Sequence, residues 1–154
     1  MKTILYNNNN KKNIIHSEEL YNVENHFQYI DHIYNNREFN YTLYINKEIK
    51  KKYNSYIQQD KHKKKYNPEL HITYRQLIEK LYYSQLKCYY CNQCVFLIYK
   101  DKVNKLQWSL ERLDNNIGHY DTNTCISCLD CNLKRRTSNH EYYKKYKTII
   151  IKKV

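Results

Sequence analysis

The stretch Ser109–Thr137 reads SLERLDNNIGHYDTNTCISCLDCNLKRRT, and it gathers residue types that the rest of the chain uses sparingly. It contains one short acidic turn, the only glycine of the chain (Gly118), and a run of three cysteines spaced Cys-x-x-Cys-x-x-Cys. An identical cysteine spacing occurs earlier, at Cys88, Cys91 and Cys94. Two such runs predict a metal-binding site that joins distant parts of the chain.

The length and charge of the chain limit its organisation and its partners. At 154 residues it holds one ordinary domain, or a small domain with an appendage. Its 27 Lys and Arg outnumber its 15 Asp and Glu, which gives a formal net charge of +12. Such an excess favours a polyanionic partner through phosphate contacts. The alternative that the charge allows is a basic surface that serves only solvation.

Targeting signals are missing from the sequence pattern. The chain has no apolar run of the length that spans a bilayer, and its first residues, MKTILYNNNNKK, lack the apolar region and cleavage site of a secretory signal. We therefore expect an intracellular protein, of the cytoplasm or the nucleus, without a membrane segment. In that environment six cysteines favour metal binding over disulfides.

The first half of the chain predicts a basic, mostly helical extension. Residues 1–16 indicate a loose tail or edge segment. From Ser17, apolar residues recur at helical spacing in SEELYNVENHFQYIDHIY. Residues 37–59 fit either a strand pair or a second helix. The charged segment 61–69, KHKKKYNPE, is typical of a linker, so we divide the chain into residues 1–67 and 68–154.

The second half predicts a small α+β module with a core at about residues 86–146. Thr73 and Gln76 fit a capping box, and the pattern that follows predicts a helix over 74–86. Residues 95–100 and 105–113 are expected to be two strands on either side of a Lys-Asp-Lys turn. TNTCISC alternates as a short extended segment, and residues 131–147 predict one helix.

Four cysteines are predicted to form a structural zinc site: Cys88, Cys91, Cys128 and Cys131. A Cys-x-x-Cys turn places two thiolates on one side of a tight loop, and two such turns complete a tetrahedron. Cys94 rivals Cys88 as the partner of Cys91. Cys125 lies in the extended segment, where a buried apolar role is expected. An iron–sulfur cluster and free thiols are the alternatives to zinc.

The order of these elements resembles the HNH endonuclease family with flanking zinc knuckles. The resemblance rests on Cys88-Tyr-Tyr-Cys91, on SLERLDN from Ser109, on GHYDTN from Gly118, and on Cys128-Leu-Asp-Cys131-Asn132. It covers about residues 86–136 and implies a ββα-metal fold, in which one divalent metal lies against the scissile phosphate. The implied activity is metal-dependent cleavage or nicking of DNA.

The resemblance also implies roles for individual residues. Glu111 and Asn132 match the positions that bind the catalytic Mg(II) or Mn(II), whose hard character suits oxygen ligands. Asn123 matches the amide that holds the connecting loop, and Gly118 would supply a turn. The positions that follow Asn132 are expected to contact nucleic-acid phosphate, namely Lys134, Arg135 and Arg136. Glu111 also fits an ion pair with Arg112 or Arg135.

One position departs from the family pattern. Arg112 stands where the general-base histidine of the family follows the acidic ligand, and a guanidinium does not accept a proton from water. Arg112 is still able to clamp a phosphate. His119 is the nearest replacement base, although a loop histidine bonded to backbone fits its position equally well.

The sequence therefore supports hypotheses from different classes. The first is an HNH-like DNA endonuclease or nickase. The second is a catalytically inactive, zinc-stabilised protein of the same fold that binds nucleic acid or serves as an assembly subunit. A third, a zinc-ribbon subunit of a larger complex, leaves the Glu-Arg-Leu-Asp-Asn turn unexplained. DNA is the expected partner. The sequence leaves open whether RNA is bound instead and whether the chain forms a homodimer or another oligomer.

Overall fold

The computed structural model describes residues 17–149, and the expected α+β class is confirmed there. Residues 1–16, interpreted above as a tail or edge segment, lie outside the described residues. Two strands, β1 and β2, pair antiparallel. The helices and strands are α1 (Glu18–Tyr21), α2 (Val23–Tyr34), α3 (Thr42–His62), α4 (Tyr74–Tyr83), β1 (Trp108–Arg112), β2 (Thr124–Cys128), α5 (Leu129–Arg135) and α6 (His140–Thr148).

The helix predicted from Ser17 is two helices. Ser17 caps α1, and Asn22 both ends α1 and begins α2, where its side chain accepts a hydrogen bond from the Glu24 N–H. An asparagine at this position offers the backbone a cap in place of a continuous helix. Ile30 is buried as the apolar spacing predicted, whereas Phe27 is exposed.

The segment left open between strand pair and helix is the long helix α3. Its buried residues Ile45, Ile49, Tyr56 and Asp60 recur at spacings of four and seven, which places them on one helical face. That face contacts the second half of the chain, since the Tyr56 hydroxyl accepts a hydrogen bond from the Leu110 N–H at 2.9 Å. Buried side chains from both sides of residues 61–69 form one apolar cluster.

Helix α4 confirms the capping box and corrects its end. Thr73 and Gln76 exchange the two expected hydrogen bonds. The helix stops at Tyr83, three residues before the predicted end, because Gln85 and Leu86 adopt positive φ angles. Buried Leu77 and Leu81 hold α4 against the rest of the core.

The strand pairing differs from the predicted one. Residues 95–100 do not form a strand; within them, Phe96 makes an isolated bridge to Gln107. The strand predicted over 105–113 is confirmed as β1, and its partner is β2, the extended segment TNTCISC. Opposed pairs on alternating faces, Leu110 with Ile126 and Glu111 with Cys125, fix the register. Val95, Leu97 and Ile98 are buried in the core without a continuous ladder.

The predicted helix over 131–147 is broken in two. Arg136 has a φ of 52°, which ends α5, and the Asn139 side chain then caps α6. Helix α5 packs on both strands, so a hairpin followed by a helix carries the sequence motifs. Across residues 17–149, none of the helices combines the length and apolarity that crossing a membrane requires.

Candidate metal centre and the adjoining acidic site

Four cysteines converge at one end of the hairpin. The sulfurs of Cys88, Cys91, Cys128 and Cys131 all lie within 4.8 Å of one another, and those of Cys91 and Cys128 are 3.9 Å apart. A tetrahedral zinc with Zn–S bonds of about 2.3 Å separates its sulfurs by about 3.8 Å. The predicted ligand set is therefore brought together with spacing that suits zinc.

Local backbone structure positions these sulfurs. The turn after α4 lies beside β2 because the Tyr89 N–H donates to the Ile126 carbonyl at 2.8 Å. The Tyr90 N–H donates to the Cys88 sulfur, and the Cys131 N–H donates to the Cys128 sulfur, each at 3.4 Å. Donors of this kind favour the thiolate form that a metal requires. The Cys128 thiol, aided by backbone N–H groups, lowers the pKa of Cys88 from 9.0 to about 4.

The remaining cysteines lie outside the cluster. Cys94, the rival of Cys88, is exposed, and its sulfur accepts a hydrogen bond from the Lys87 ammonium at 3.1 Å. Cys125 is half-buried on β2 opposite Glu111. Burial raises the pKa of the Cys125 thiol, which opposes formation of a thiolate there.

The acidic site lies between β1 and α5. Glu111 projects towards α5, where Arg135 donates a hydrogen bond to its Oε1 atom. The Arg135 guanidinium also donates to the carbonyls of Arg112, Leu113 and Ser138. Glu111 and Arg135 are only 3% and 2% exposed. The position that the HNH resemblance implies for a metal thus contains a buried internal cation.

Asn132, the second implied metal ligand, faces β1 as well. Its amide donates to the Ser109 hydroxyl at 3.1 Å, and that hydroxyl in turn donates to the Ser127 carbonyl. Asn132 and Arg135 are three residues apart on α5, so both side chains lie on the helix face that covers the strand. The structure brings Glu111 and Asn132 to the same interface, with Arg135 beside the carboxylate.

The pKa of Glu111 depends on two opposing effects, which are burial of the carboxyl group and the positive charges of nearby arginines. Burial raises the pKa of Glu111 from 4.5 to about 7, although Arg135 and Arg112 oppose the shift. Its Oε2 atom has no hydrogen-bond partner among the described residues. A divalent cation at Glu111 would lie next to the Arg135 guanidinium, and the two like charges would repel at low effective dielectric. The residues present therefore do not fit Mg(II) or Mn(II) in this arrangement.

Arg112 and Asn123 organise the loop between the strands. The Arg112 guanidinium donates to the carbonyls of Asn115 and Ile117 at 3.1 and 3.2 Å. The Asn123 side chain accepts from the Asp114 N–H and donates to the carbonyls of Asp114 and Gly118. Asn123 thus makes the loop-holding contacts expected of it, and Arg112 serves the same loop.

His119 is held by a residue that the sequence pattern did not single out. Asp60 on α3 accepts hydrogen bonds from the His119 backbone N–H at 2.6 Å and from its Nδ1 at 2.7 Å. Burial lowers the pKa of His119 from 6.5 to about 4, although Asp60 opposes the shift. His119 is 3% exposed, so it does not present an open proton acceptor. The sequence signal for Asp60 was its position, since it is an acidic residue on the otherwise apolar face of α3.

The only glycine has a packing role instead of the predicted turn role. The φ angle of Gly118 is not positive. A Cβ atom at Gly118 would lie 2.5 Å from the Lys65 carbonyl and 2.7 Å from the Asp60 carboxylate. The absence of a side chain lets the loop approach α3 closely enough for Asp60 to hold His119.

The three predicted phosphate contacts differ in availability. Arg135 is buried against Glu111. Lys134 is exposed but pairs with Asp130 at 2.8 Å, one helical turn earlier. Arg136 is exposed, with its carbonyl bonded to the Asn115 side chain. Lys134 and Arg136 can therefore reach a phosphate, and Arg135 cannot in this arrangement.

Comparisons with protein-family models, with curated proteins and with solved structures find no match for this chain.

Proposed function

We propose that this chain is a zinc-stabilised, HNH-like nucleic-acid-binding protein, with DNA as its partner and without an open catalytic metal site. The observation that carries the proposal is the Arg135 guanidinium on the Glu111 carboxylate. A nuclease of this type needs that carboxylate for a divalent cation that neutralises charge on the scissile phosphate. Here the Arg135 guanidinium already pairs with that carboxylate.

Zinc would serve stability in this proposal. The four cysteines come from the turn after α4 and from the start of α5, so zinc would tie α4 to the hairpin and its helix. Metal-binding free energy becomes folding free energy when the site exists only in the folded chain. Cys88, Cys91, Cys128 and Cys131 would hold this zinc, which supplies no hydrolytic chemistry because all four positions are protein ligands.

Charge supports nucleic acid as the partner. The formal net charge is +12, and exposed cations such as Lys134 and Arg136 border the ββα unit. Phosphate contacts of this kind release counterions, so the affinity for DNA would fall steeply as salt rises. A basic surface with only a solvating role would show little affinity for DNA at about 150 mM salt, where non-specific phosphate contacts are weak.

The test is a paired assay on full-length protein whose zinc content is measured as one ion per chain. Fluorescence anisotropy with labelled DNA measures binding across a salt series, and plasmid nicking with Mg(II) or Mn(II) measures cleavage beside an EDTA control. The expected result is salt-dependent binding without nicking. Absence of any DNA binding by folded, zinc-loaded protein would refute the proposal.

A second candidate function is the endonuclease itself, favoured by one specific observation. The Oε2 atom of Glu111 is buried without a hydrogen-bond partner among the described residues, and the Asn132 amide lies across the same interface. These oxygens are of the type that Mg(II) prefers, provided that Arg135 moves away from Glu111. The same assay decides between the candidates, since nicking that EDTA and Glu111→Ala both abolish would support the endonuclease.

Two further variants separate the two causes of inactivity. Arg112→His restores the residue type that the HNH resemblance places at the base position, while Arg135→Met removes the competing cation. If the closed carboxylate prevents catalysis, Arg112→His alone will not nick plasmid DNA. Nicking by Arg112→His alone would instead mean that Arg135 yields to the metal.

A further inference from the structure

The last helix, α6, presents an aromatic stripe to solvent. Tyr142 and Tyr146 are four residues apart on α6, so they share one helical face, and the apolar residue Ile149 follows at the end of the helix. Their exposed fractions are 77%, 70% and 62%. Helix α6 buries none of its own residues. We call Tyr142 and Tyr146 the tyrosine pair.

A neighbouring face of α6 fixes how the helix is turned. The Tyr143 ring packs edge-on against Tyr90, with centroids 5.0 Å apart and an interplanar angle of 86°. The Lys144 ammonium lies 3.7 Å from the centroid of the Tyr89 ring. Both partners belong to the first cysteine turn, so α6 rests on the metal centre by this face. The tyrosine pair is thereby directed away from the core.

The charge of α6 indicates the kind of partner. The helix carries Lys144, Lys145 and Lys147 against the single acid Glu141. An apolar protein partner would not need the lysines, and a phosphate backbone alone would not need the rings. Aromatic rings interleaved with cations fit nucleic acid whose bases are accessible.

We propose that the tyrosine pair and the lysines beside it form a docking surface for single-stranded DNA. Each ring offers a stacking face for an unpaired base. Lys145 and Lys147 flank Tyr146 in the sequence and supply cations for the phosphates, and the Lys147 ammonium lies 5.7 Å from the centroid of the Tyr143 ring. Rings four residues apart on a helix are separated by about 6 Å along its axis, so each ring can stack one base of the same strand.

The choice of a single strand follows from base accessibility. In a duplex the base faces are stacked on one another, and only the edges and the backbone are presented to a protein. Exposed tyrosine rings would therefore add little to the affinity for a duplex beyond what the phosphate contacts provide. This inference rests on the proposed nucleic-acid binding, and it adds α6 to the exposed cations Lys134 and Arg136 as a surface for that binding.

The first test removes the rings. Full-length, zinc-loaded protein is titrated against fluorescein-labelled oligodeoxythymidylate, and anisotropy gives the dissociation constant. Because stacking is worth about 1–3 kcal/mol per base, Tyr142→Ala with Tyr146→Ala is expected to weaken binding by at least about 30-fold. Replacement of both by Phe keeps the rings and should keep binding within about threefold, because the stacking faces are retained.

A matched control uses a tyrosine on another face. Tyr83 on α4 is 69% exposed, close to the exposure of Tyr146. Tyr83→Ala should leave the affinity unchanged if the effect belongs to α6. Zinc content and far-UV circular dichroism identify any variant that has lost its fold. An unchanged affinity of the folded Tyr142→Ala/Tyr146→Ala protein would overturn the proposal.

The second test removes the charges. For single strands, each phosphate that the protein neutralises contributes about 0.7 to the steepness of log K against log salt. Lys145→Ala with Lys147→Ala should therefore make the slope shallower by about 1.4. An unaltered slope would remove these lysines from the surface.

Two further probes distinguish failure of this inference from failure of the proposed function. A duplex bound as tightly as the single strand, and equally by the alanine variant, would refute the α6 surface while nucleic-acid binding stands. Binding confined to RNA of the same sequence would refute the choice of DNA. No binding to any of these probes would refute the proposed function itself.

Discussion

Helix α5 takes part in two polar sites, which differ in whether the chain itself supplies a cation. At its start, Cys128 and Cys131 belong to the cysteine cluster, whose sulfurs lie within 4.8 Å of one another. Further along, Arg135 reaches the Glu111 carboxylate and neutralises it from within the chain. The first site brings together groups that still need a cation, whereas the second already contains one.

The difference follows from what each side chain can do for its neighbours. One thiol cannot neutralise another, so converging cysteines leave a site for an added metal ion. A guanidinium supplies a carboxylate with both a counter-charge and a hydrogen bond, as Arg135 does at the Oε1 atom of Glu111. A single arginine one turn after Asn132 is therefore enough to occupy the Glu111 carboxylate that would otherwise be open to a metal ion.

The largest effect is expected from opening the cysteine cluster. Cys131→Ser removes one of four ligands, and the protein should lose its stoichiometric zinc together with several kcal/mol of stability, because zinc binding and folding are coupled. Metal analysis after gel filtration and thermal unfolding measure both changes.

Cys94→Ser is the matched control for that experiment, since Cys94 is exposed and outside the cluster. It should keep both zinc and the melting temperature. Loss of zinc in the Cys94 variant, with retention in the Cys131 variant, would mean that the ligand set is wrong.

A smaller but still large effect is expected at the acidic site. Arg135→Met leaves Glu111 buried without its counter-charge and should cost about 3–5 kcal/mol of unfolding free energy. Adding Glu111→Gln removes the isolated charge, so the double variant should regain part of that loss. Urea unfolding of the four proteins gives the coupling energy of the pair.

A cost of less than about 1 kcal/mol for Arg135→Met, the range of an exposed pair, would mean that Glu111 does not depend on Arg135 for charge compensation. Zinc content serves as the control, because Arg135 is not among the cysteine ligands. An unchanged zinc content in this variant shows that the two sites act independently.

Features set by neighbouring residues were predictable from the sequence. The capping box at Thr73 and Gln76 and the two cysteine turns depend on spacings of three residues. The alternation in TNTCISC likewise predicted the extended segment that became β2. Local spacing determines such features, since the groups involved meet wherever the chain forms a turn.

Features set by distant contacts were not predictable in the same way. The run VFLIYK has strand-like composition, but Val95, Leu97 and Ile98 are buried in the core and β1 pairs with β2 instead. Asp60 carried no predicted role, because its contact with His119 joins residues 59 positions apart in the chain. The Glu111–Arg135 pair was one of the interpretations considered, yet its burial depends on how α5 covers β1.

A third polar site, at His26, is held by uncharged backbone groups instead of by a charged partner such as Arg135. His26 is fully buried; its Nδ1 accepts from the Leu97 N–H at 3.1 Å, and its Nε2 donates to the Leu20 carbonyl at 3.2 Å. These contacts need the neutral ring, because protonation of Nδ1 would place two N–H groups face to face. Burial lowers the pKa of His26 from 6.5 to about 4, against a smaller opposing effect of the Leu20 carbonyl.

The pH dependence of stability follows from that shift. Below about pH 6.5 the unfolded chain binds more protons at this histidine than the folded chain, so the free energy of unfolding falls as pH drops towards about 4. The loss attributable to His26 is at most about 3 kcal/mol. His26→Gln should make the acid limb measured by urea unfolding shallower without abolishing it, because burial also lowers the pKa of His119 to about 4. His62→Gln, at an exposed position, should leave the limb unchanged. An acid limb equally steep in both variants would mean that the buried ring accepts its proton inside the folded chain.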